Sequence, residues 1–289
     1  MHQEASHSAA ATSGTSGAGE VFLAALGDPD RKRLYFRLTV VVAHPDDETI
    51  GCGSLLARSN DVTVMHVTDG APRNLLDAQA LGFGSAEAYA QARRGELEAA
   101  MALAGLPADR LIWLGWSDQE ASLHLVDIAH DLSRRLSGTD IVLTHAYEGG
   151  HPDHDATAFA THAAAALLRS RGEPPPEIIE FPLYRAGPEG WIAQSFSSEP
   201  RAGELAFELL TDERALKEAM FNVHASQRQV LSRFSISPER FRVAPRYDFS
   251  SLPNGGDLLY ELMEWGMPGA RWLEFTRAAL AELRLATTP

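Results

Sequence analysis

The chain of 289 residues holds one cysteine, Cys52, so an internal disulfide is excluded and nothing points to an oxidising compartment. Long apolar runs are missing as well: the longest uncharged stretch with real apolar content, 156–168, is broken by Thr and His and is too short to span a bilayer. Positive charge is scarce, with 25 Lys and Arg against 39 Asp and Glu and a net charge of −14, which repels nucleic-acid backbones and anionic membranes. No nucleic-acid partner and no membrane span are expected. Residues 1–19, nearly all Ala, Ser, Thr, Gly and His, lack the basic start and apolar centre of a signal peptide. They are expected to form a disordered tail, and the protein is expected to be cytoplasmic. No internal repeat is present.

The rest has the makings of a globular protein. Apolar residues make up 45% and charged residues 22%, and the length suffices for one large core. From Leu38 onward, short β-branched runs alternate with stretches of helical period. The predicted strands are 38–43, 61–67, 110–114, 140–144 and 177–181; the predicted helices are 49–58, 86–106, 119–136 and 155–169. Such alternation predicts an α/β fold, a mostly parallel sheet with helices on both faces, and runs such as LTVVVA suit strands buried on both sides. Beyond Pro188 an amphipathic stretch (213–227) and a final helix (269–285) are expected to decorate that core. One domain is expected over 20–289, with its core at about 38–185 and the decoration at about 186–289.

Ligands bind open parallel sheets at the carboxyl ends of the strands, and two of the loops there are heavily loaded. The first strand runs into His44-Pro45-Asp46-Asp47-Glu48, and the fourth runs through Glu148 into His151-Pro152-Asp153-His154-Asp155. So many crowded acids call for a cation. Imidazole and carboxylate are ordinary zinc ligands, and a catalytic zinc takes three protein groups. A two-His, one-carboxylate set can be drawn from these loops in more than one way. His44, Asp47 and His154 make one such set, which leaves Asp46 as a base and His151 as an acid or oxyanion stabiliser.

These two motifs, with Gly51-Cys52-Gly53 behind the first, resemble the PIG-L or LmbE-like family of zinc-dependent N-deacetylases. The resemblance runs from about Leu38 to Leu183, with an echo at Lys217–Gln227. It implies a Rossmann-like three-layer fold and hydrolysis of an acetamide on an amino sugar, so that the partner is a small N-acetylated sugar or glycoconjugate. It implies His44, Asp47 and His154 as zinc ligands and Asp46 as the general base. It also implies that His151 stabilises the oxyanion or protonates the leaving amine, with Asp153 orienting the His151 ring. Iron, cobalt or nickel could occupy the same ligand set. An amidase cutting a larger amide, and a non-catalytic metal or sugar-binding module, are the competing readings; oligomeric state is open.

Other residues carry weaker expectations. Asp69 and Arg73, after the second strand, are candidate substrate contacts, and the segment from Pro72 to Ala86 reads as a flap over the site. Glu48 is expected to support the ligands from behind. Asp118 and Glu120 could face the cleft, but Ser117 with Glu120 fits a capping box, which is the preferred reading. His66 and Cys52 are expected to be packing residues. Gly51 and Gly53 lack the third glycine of a dinucleotide fingerprint, so NAD binding is rejected.

Overall fold

A computed structural model describes residues 17–196 and 203–289. In chain order it runs α1 (Ala18–Leu26), β1 (Leu34–Val42), α2 (Asp47–Arg58), β2 (Ser59–Thr68), α3 (Leu76–Ala80), α4 (Ala86–Leu103), β3 (Leu111–Trp116), α5 (Leu125–Arg135), β4 (Ile141–His145) and α6 (Pro152–Ser170). It continues through β5 (Glu177–Phe181), a hairpin of β6 (Tyr184–Gly187) and β7 (Gly190–Ala193), β8 (Leu205–Phe207), α7 (Thr211–Val223), α8 (Arg228–Leu231), β9 (Glu239–Val243), α9 (Leu259–Leu262) and α10 (Gly269–Leu283). The central sheet has the order β3-β2-β1-β4-β5-β9-β8. Its first five strands are parallel, and β9 and β8 join antiparallel.

Alternation along each strand divides the core. Val40 and Val42 of β1 and Leu143 of β4 pack with Phe22 of α1, Leu55 of α2, Leu97 of α4 and Met220 of α7. Val41 and Val142 point the other way, onto Leu132 of α5, Phe159 of α6 and Trp272 of α10. Both faces are covered, and that is why these strands read as unbroken apolar runs. The order reverses at β1, whose neighbours are β2 on one side and β4 on the other, so the crevice between the carboxyl ends of β1 and β4 is the topological switch point.

Three sequence expectations need correction. Residues 1–16 of the expected tail lie outside the described residues, but Ala18 and Gly19 begin α1, whose Phe22 and Leu26 are fully buried. Gly19 lies so close to β5 that a Cβ there would stand 2.7 Å from Glu177 Cγ. The final third does more than decorate, since β8 and β9 extend the sheet and α10 covers one of its faces. The helix expected from Gln119 starts only at Leu125. Gln119 takes a φ of 68°, and the amides of Gln119 and Ala121 donate to the Asp153 carboxylate at 2.6 and 3.1 Å.

Helix α2 carries an irregularity next to the loaded loop. Cys52 leaves helical geometry (φ −147°, ψ 22°), and Gly51 packs so tightly on β5 that a Cβ would lie 2.3 Å from the Phe181 ring. Beyond the kink, Glu239 of β9 accepts from the Ser54 amide at 3.0 Å and its hydroxyl at 2.8 Å. Lys217 of α7, fully buried, donates to Glu239 and to the Ile50 carbonyl, both at 2.8 Å. This pair ties α7 and β9 to the helix that follows the first loop.

Candidate active site

The first loop is a turn whose backbone amides are held by its own acids. Asp47 accepts from the His44 amide at 2.7 Å, and Glu48 accepts from the Asp46 amide at 3.2 Å. Glu48 also meets His66 Nε2 at 3.0 Å and the Thr49 hydroxyl at 2.6 Å. Glu48 thus supports the loop from behind, and His66, fully buried, is its partner. Asp46 itself adopts a φ of 146°, a strained conformation for a side-chain-bearing residue and one that sets where its carboxylate points.

The second loop is built in the same way. Asp155 accepts from the amides of Glu148 and Gly149 at 3.2 and 3.1 Å, and Glu148 accepts from those of Leu183 and Tyr184 at 2.7 and 3.1 Å. Gly150 passes so close to the hairpin that a Cβ would stand 1.9 Å from the Tyr184 carbonyl oxygen. His151 caps α6, its Nδ1 accepting the Asp153 amide at 3.1 Å, and Pro152 occupies the first helical position. That hydrogen bond leaves the proton of a neutral His151 on Nε2.

Where the loops meet, His44 Nδ1 lies 3.2 Å from His154 Nε2 and 3.3 Å from Asp47 Oδ2, and His154 Nε2 lies 3.4 Å from Asp47 Oδ1. Metal–ligand bonds of about 2.0–2.1 Å in a tetrahedral zinc site place neighbouring ligand atoms about 3.3 Å apart, the spacing seen in this triangle, with Asp47 meeting the two imidazoles through different oxygens. The sets that bring one ligand atom from each residue together are His44 with His151 and His154, His44 with Asp118, His151 and Asp153, and Asp47 with His145 and His154. His154 and Asp47 are in the forms a metal needs, whereas Asp118 and Asp47 hold the buried His44 well above the usual imidazole range, so a metal must displace its proton. Burial brings His154 down to about 3 against the pull of Asp47. Burial works against an ionised Asp47, yet His154, His145 and His44 hold it well below the usual carboxylate range. Neutral imidazole and ionised carboxylate are the forms that bind metal.

One residue beside this triangle escaped the sequence reading. His145, the last residue of β4, accepts from the Ala43 amide at 2.9 Å, lies 3.4 Å from Asp47 Oδ2 and stacks on His154 with ring centres 4.2 Å apart. Its place at a strand's carboxyl end was the available signal. His145 stands beside Asp47 and His154 as an alternative ligand to His44.

Asp46 is gripped by a second residue that sequence patterns did not disclose. Arg93 of α4, buried, donates to Asp46 Oδ2 and to the Pro45 carbonyl, both at 3.0 Å, and to the Gly70 carbonyl. It joins the loops after β1 and β2 and leaves Asp46 Oδ1 outside the ion pair. Lysine cannot reproduce this three-way fork. Arg93→Lys is therefore expected to lower kcat at least tenfold with KM within about threefold of wild type, as steady-state kinetics on metal-loaded protein would read.

Asp153 and Asp118 depart from expectation. The Asp153 carboxylate, fully buried, faces His44 Nε2 at 3.2 Å and the amides of Gln119 and Ala121, and it is the Asp153 backbone that touches the His151 ring. Asp153 thus orients His44, not His151. Asp118, set aside for a capping box, is buried and stands 3.3 Å from His44 Nε2, while Ser117 and Glu120 close only a turn.

A cavity of about 320 Å³ opens over this cluster, lined among others by His44, Asp46, Asp118, His151 and Arg93. Asp69 and Arg73 are not among its lining residues: they pair with each other at 2.5 Å, and Asp69 faces a neighbouring surface hollow. Of the expected flap, Pro72 and Asp77 line the cavity, and Ala78 packs in a small cluster with Tyr89. Among the described residues no helix is long and apolar enough to cross a membrane.

A family model described as PIG-L, GlcNAc-PI de-N-acetylase, matches residues 39–165. A 1D-myo-inositol 2-acetamido-2-deoxy-alpha-D-glucopyranoside deacetylase of Corynebacterium glutamicum is 30% identical over 218 residues, which cover 66% of this chain and 74% of that protein. The deacetylase of the same description from Nocardioides is 29% identical over 167 residues, 45% of this chain and 54% of that one. Among solved structures, the zinc-inhibited form of a teicoplanin deacetylase superposes with a TM-score of 0.52 at 16% identity, covering 72% of this chain and 97% of that one. A second structure, a deacetylase of teicoplanin biosynthesis, gives a TM-score of 0.52 at 19% identity over 68% and 86%. At these identities the structural likeness speaks for the fold alone.

Proposed function

Because the chain belongs to the PIG-L family of N-deacetylases, we propose that it is a zinc-dependent hydrolase removing an acetyl group from the nitrogen of an amino-sugar-containing small molecule. One observation carries this reading: His44 and Asp47 line a cavity, in contact with the buried His154, beside an Arg93-held carboxylate and a neutral imidazole.

Zinc held by His44, Asp47 and His154 would supply Lewis acidity for the amide carbonyl and a lowered pKa for water, to about 7. Asp46 takes the proton of the attacking water at Oδ1, the oxygen Arg93 leaves uncommitted. Burial pushes Asp46 up to about 8, with Arg93 opposing and Asp47 and Glu48 adding to the rise; beside a dication that affinity would fall, to where the carboxylate takes a proton and returns it to the departing amine. His151 has another task. Burial keeps it neutral, and its Nδ1 is engaged by the Asp153 amide, so its Nε2–H donates to the developing oxyanion. Asp153 and Asp118, both against His44 Nε2, fix the ring whose Nδ1 faces Asp47.

Acetate release from a panel of N-acetylated sugars and glycosides tests the reading. Release from at least one N-acetylamino sugar is expected. Cleavage of a bulkier amide, with no acetate from any N-acetyl sugar, would favour the amidase.

A further inference from the structure

The outer end of the cavity has a chemistry of its own. Its walls come from the final third of the chain and carry Trp191 of the hairpin, Arg233 and Phe234 just after α8, and Met263 and Trp265 just after α9. The Trp191 plane is fixed. Tyr184 stacks beneath it with ring centres 4.1 Å apart and planes 17° from parallel, and Phe234 meets it at 6.0 Å and 64°. Gln194, just after β7, exchanges two hydrogen bonds with the Ser235 backbone, of 2.9 and 2.7 Å, and so locks the hairpin to the chain beyond α8. Asn254 holds the other side of the hairpin, donating to the Ala186 carbonyl at 3.0 Å.

Two arginines line the cavity, and they differ in what occupies them. Arg93, at the inner end, is buried against Asp46. Arg233 lies with its guanidinium 5.2 Å from the centre of the Trp191 ring, and among the described residues no carboxylate pairs with it. The inner end is crowded with acids; the outer end has a tryptophan ring held from the Tyr184 side, beside a cation that pairs with no carboxylate among the described residues. Aromatic faces take flat, apolar ring surfaces, and a guanidinium pairs in a fork with carboxylate or phosphate.

We propose that this outer end binds the group attached to the acetamido sugar, and that it selects a ring bearing one anionic substituent, a carboxylate or a phosphate, with the ring against Trp191 and the anion on Arg233. The proposal rests on the deacetylase reading in one respect: the acetamido sugar is taken to sit at the metal end.

Calorimetric titration of zinc-loaded Asp46→Asn protein with three phenyl glycosides of N-acetylglucosamine, carrying para-nitro, para-carboxylate or para-phosphate groups, tests it without consuming the ligand. At low ionic strength at least one anionic glycoside is expected to bind about tenfold tighter than the neutral one, and the anion preferred identifies the natural charge. Arg233→Gln, added to the same protein, is expected to bring that ratio within twofold of one; Trp191→Ala weakens all three ligands. Failure of every glycoside to bind, equal binding of all three, or a preference that survives Arg233→Gln would overturn the proposal. Acetate release by protein with Asp46 intact reads the other premise separately. A charge preference without acetate release overturns the deacetylase reading alone, and release without the preference overturns only the subsite.

Discussion

Asn in place of Asp46 is expected to lower kcat for acetate release by about 10²–10⁴-fold, the usual contribution of a positioned general base. The amide is isosteric with the carboxylate and can still accept from Arg93, which holds Oδ2 at 3.0 Å, so the strained turn at φ 146° keeps its geometry. What is lost is the ability to take the proton. Because Asp46 is not one of the three residues that would hold zinc, metal content is expected to stay at the wild-type level and KM to change by less than about threefold. Kinetics combined with metal analysis of the same sample separate the two effects. A variant retaining more than a tenth of wild-type kcat would remove Asp46 from the reaction, and one that lost its metal would recast it as a ligand.

The second large effect falls on stability. Lys217→Met deletes the cation that pairs with Glu239 at 2.8 Å, both side chains being fully buried, and leaves a carboxylate without its counter-charge in the core. Breaking a buried pair in this way costs about 3–5 kcal/mol, and for a chain of this size that corresponds to a fall in Tm of about 10 °C. The damage reaches the site, because Lys217 also caps the Ile50 carbonyl in the helix that carries Asp47. The double variant Lys217→Met/Glu239→Gln, which removes the stranded charge and keeps an acceptor for Ser54, is expected to recover more than half of the loss. A single variant melting within 2 °C of wild type would show that the pair contributes little.

The parts of the fold that sequence disclosed are those where one local rule dominates. β1 and β4, in the middle of the sheet, are buried on both faces over the residues they pair with each other, so apolar runs mark them, while β3 is as apolar but only partly buried at the sheet edge; the helices between the strands follow the 3.6-residue period. β9, ERFRV, alternates charged and apolar residues at the antiparallel side of the sheet, and its pairing with β5 and β8 depends on residues far away in sequence. For the site, the two His-Pro-Asp segments at strand ends were enough to name His44, Asp46, Asp47, His151 and His154, which the structure brings around one cavity or its floor. Arg93 was illegible because an arginine inside an ordinary amphipathic helix carries no local mark; only folding sets it against Asp46, 47 positions away. Asp118 was hidden by a capping pattern that the chain does not use, since Asp153 takes the nearby amides first. Asp69 and Arg73 occupy the right sheet edge but are spent on each other.

The central claim is that His44, Asp47 and His154 hold a metal on which amide hydrolysis depends. The direct measurement is acetate release from an N-acetylamino sugar glycoside by protein stripped with chelator, and again after stepwise addition of zinc. The account predicts that stripped protein, still folded by circular dichroism, releases no acetate above background, and that activity returns in proportion to zinc up to one equivalent per chain, beyond which further zinc adds none. Full activity in stripped, metal-free protein would contradict it, as would a His154→Ala variant that binds zinc and turns over like wild type.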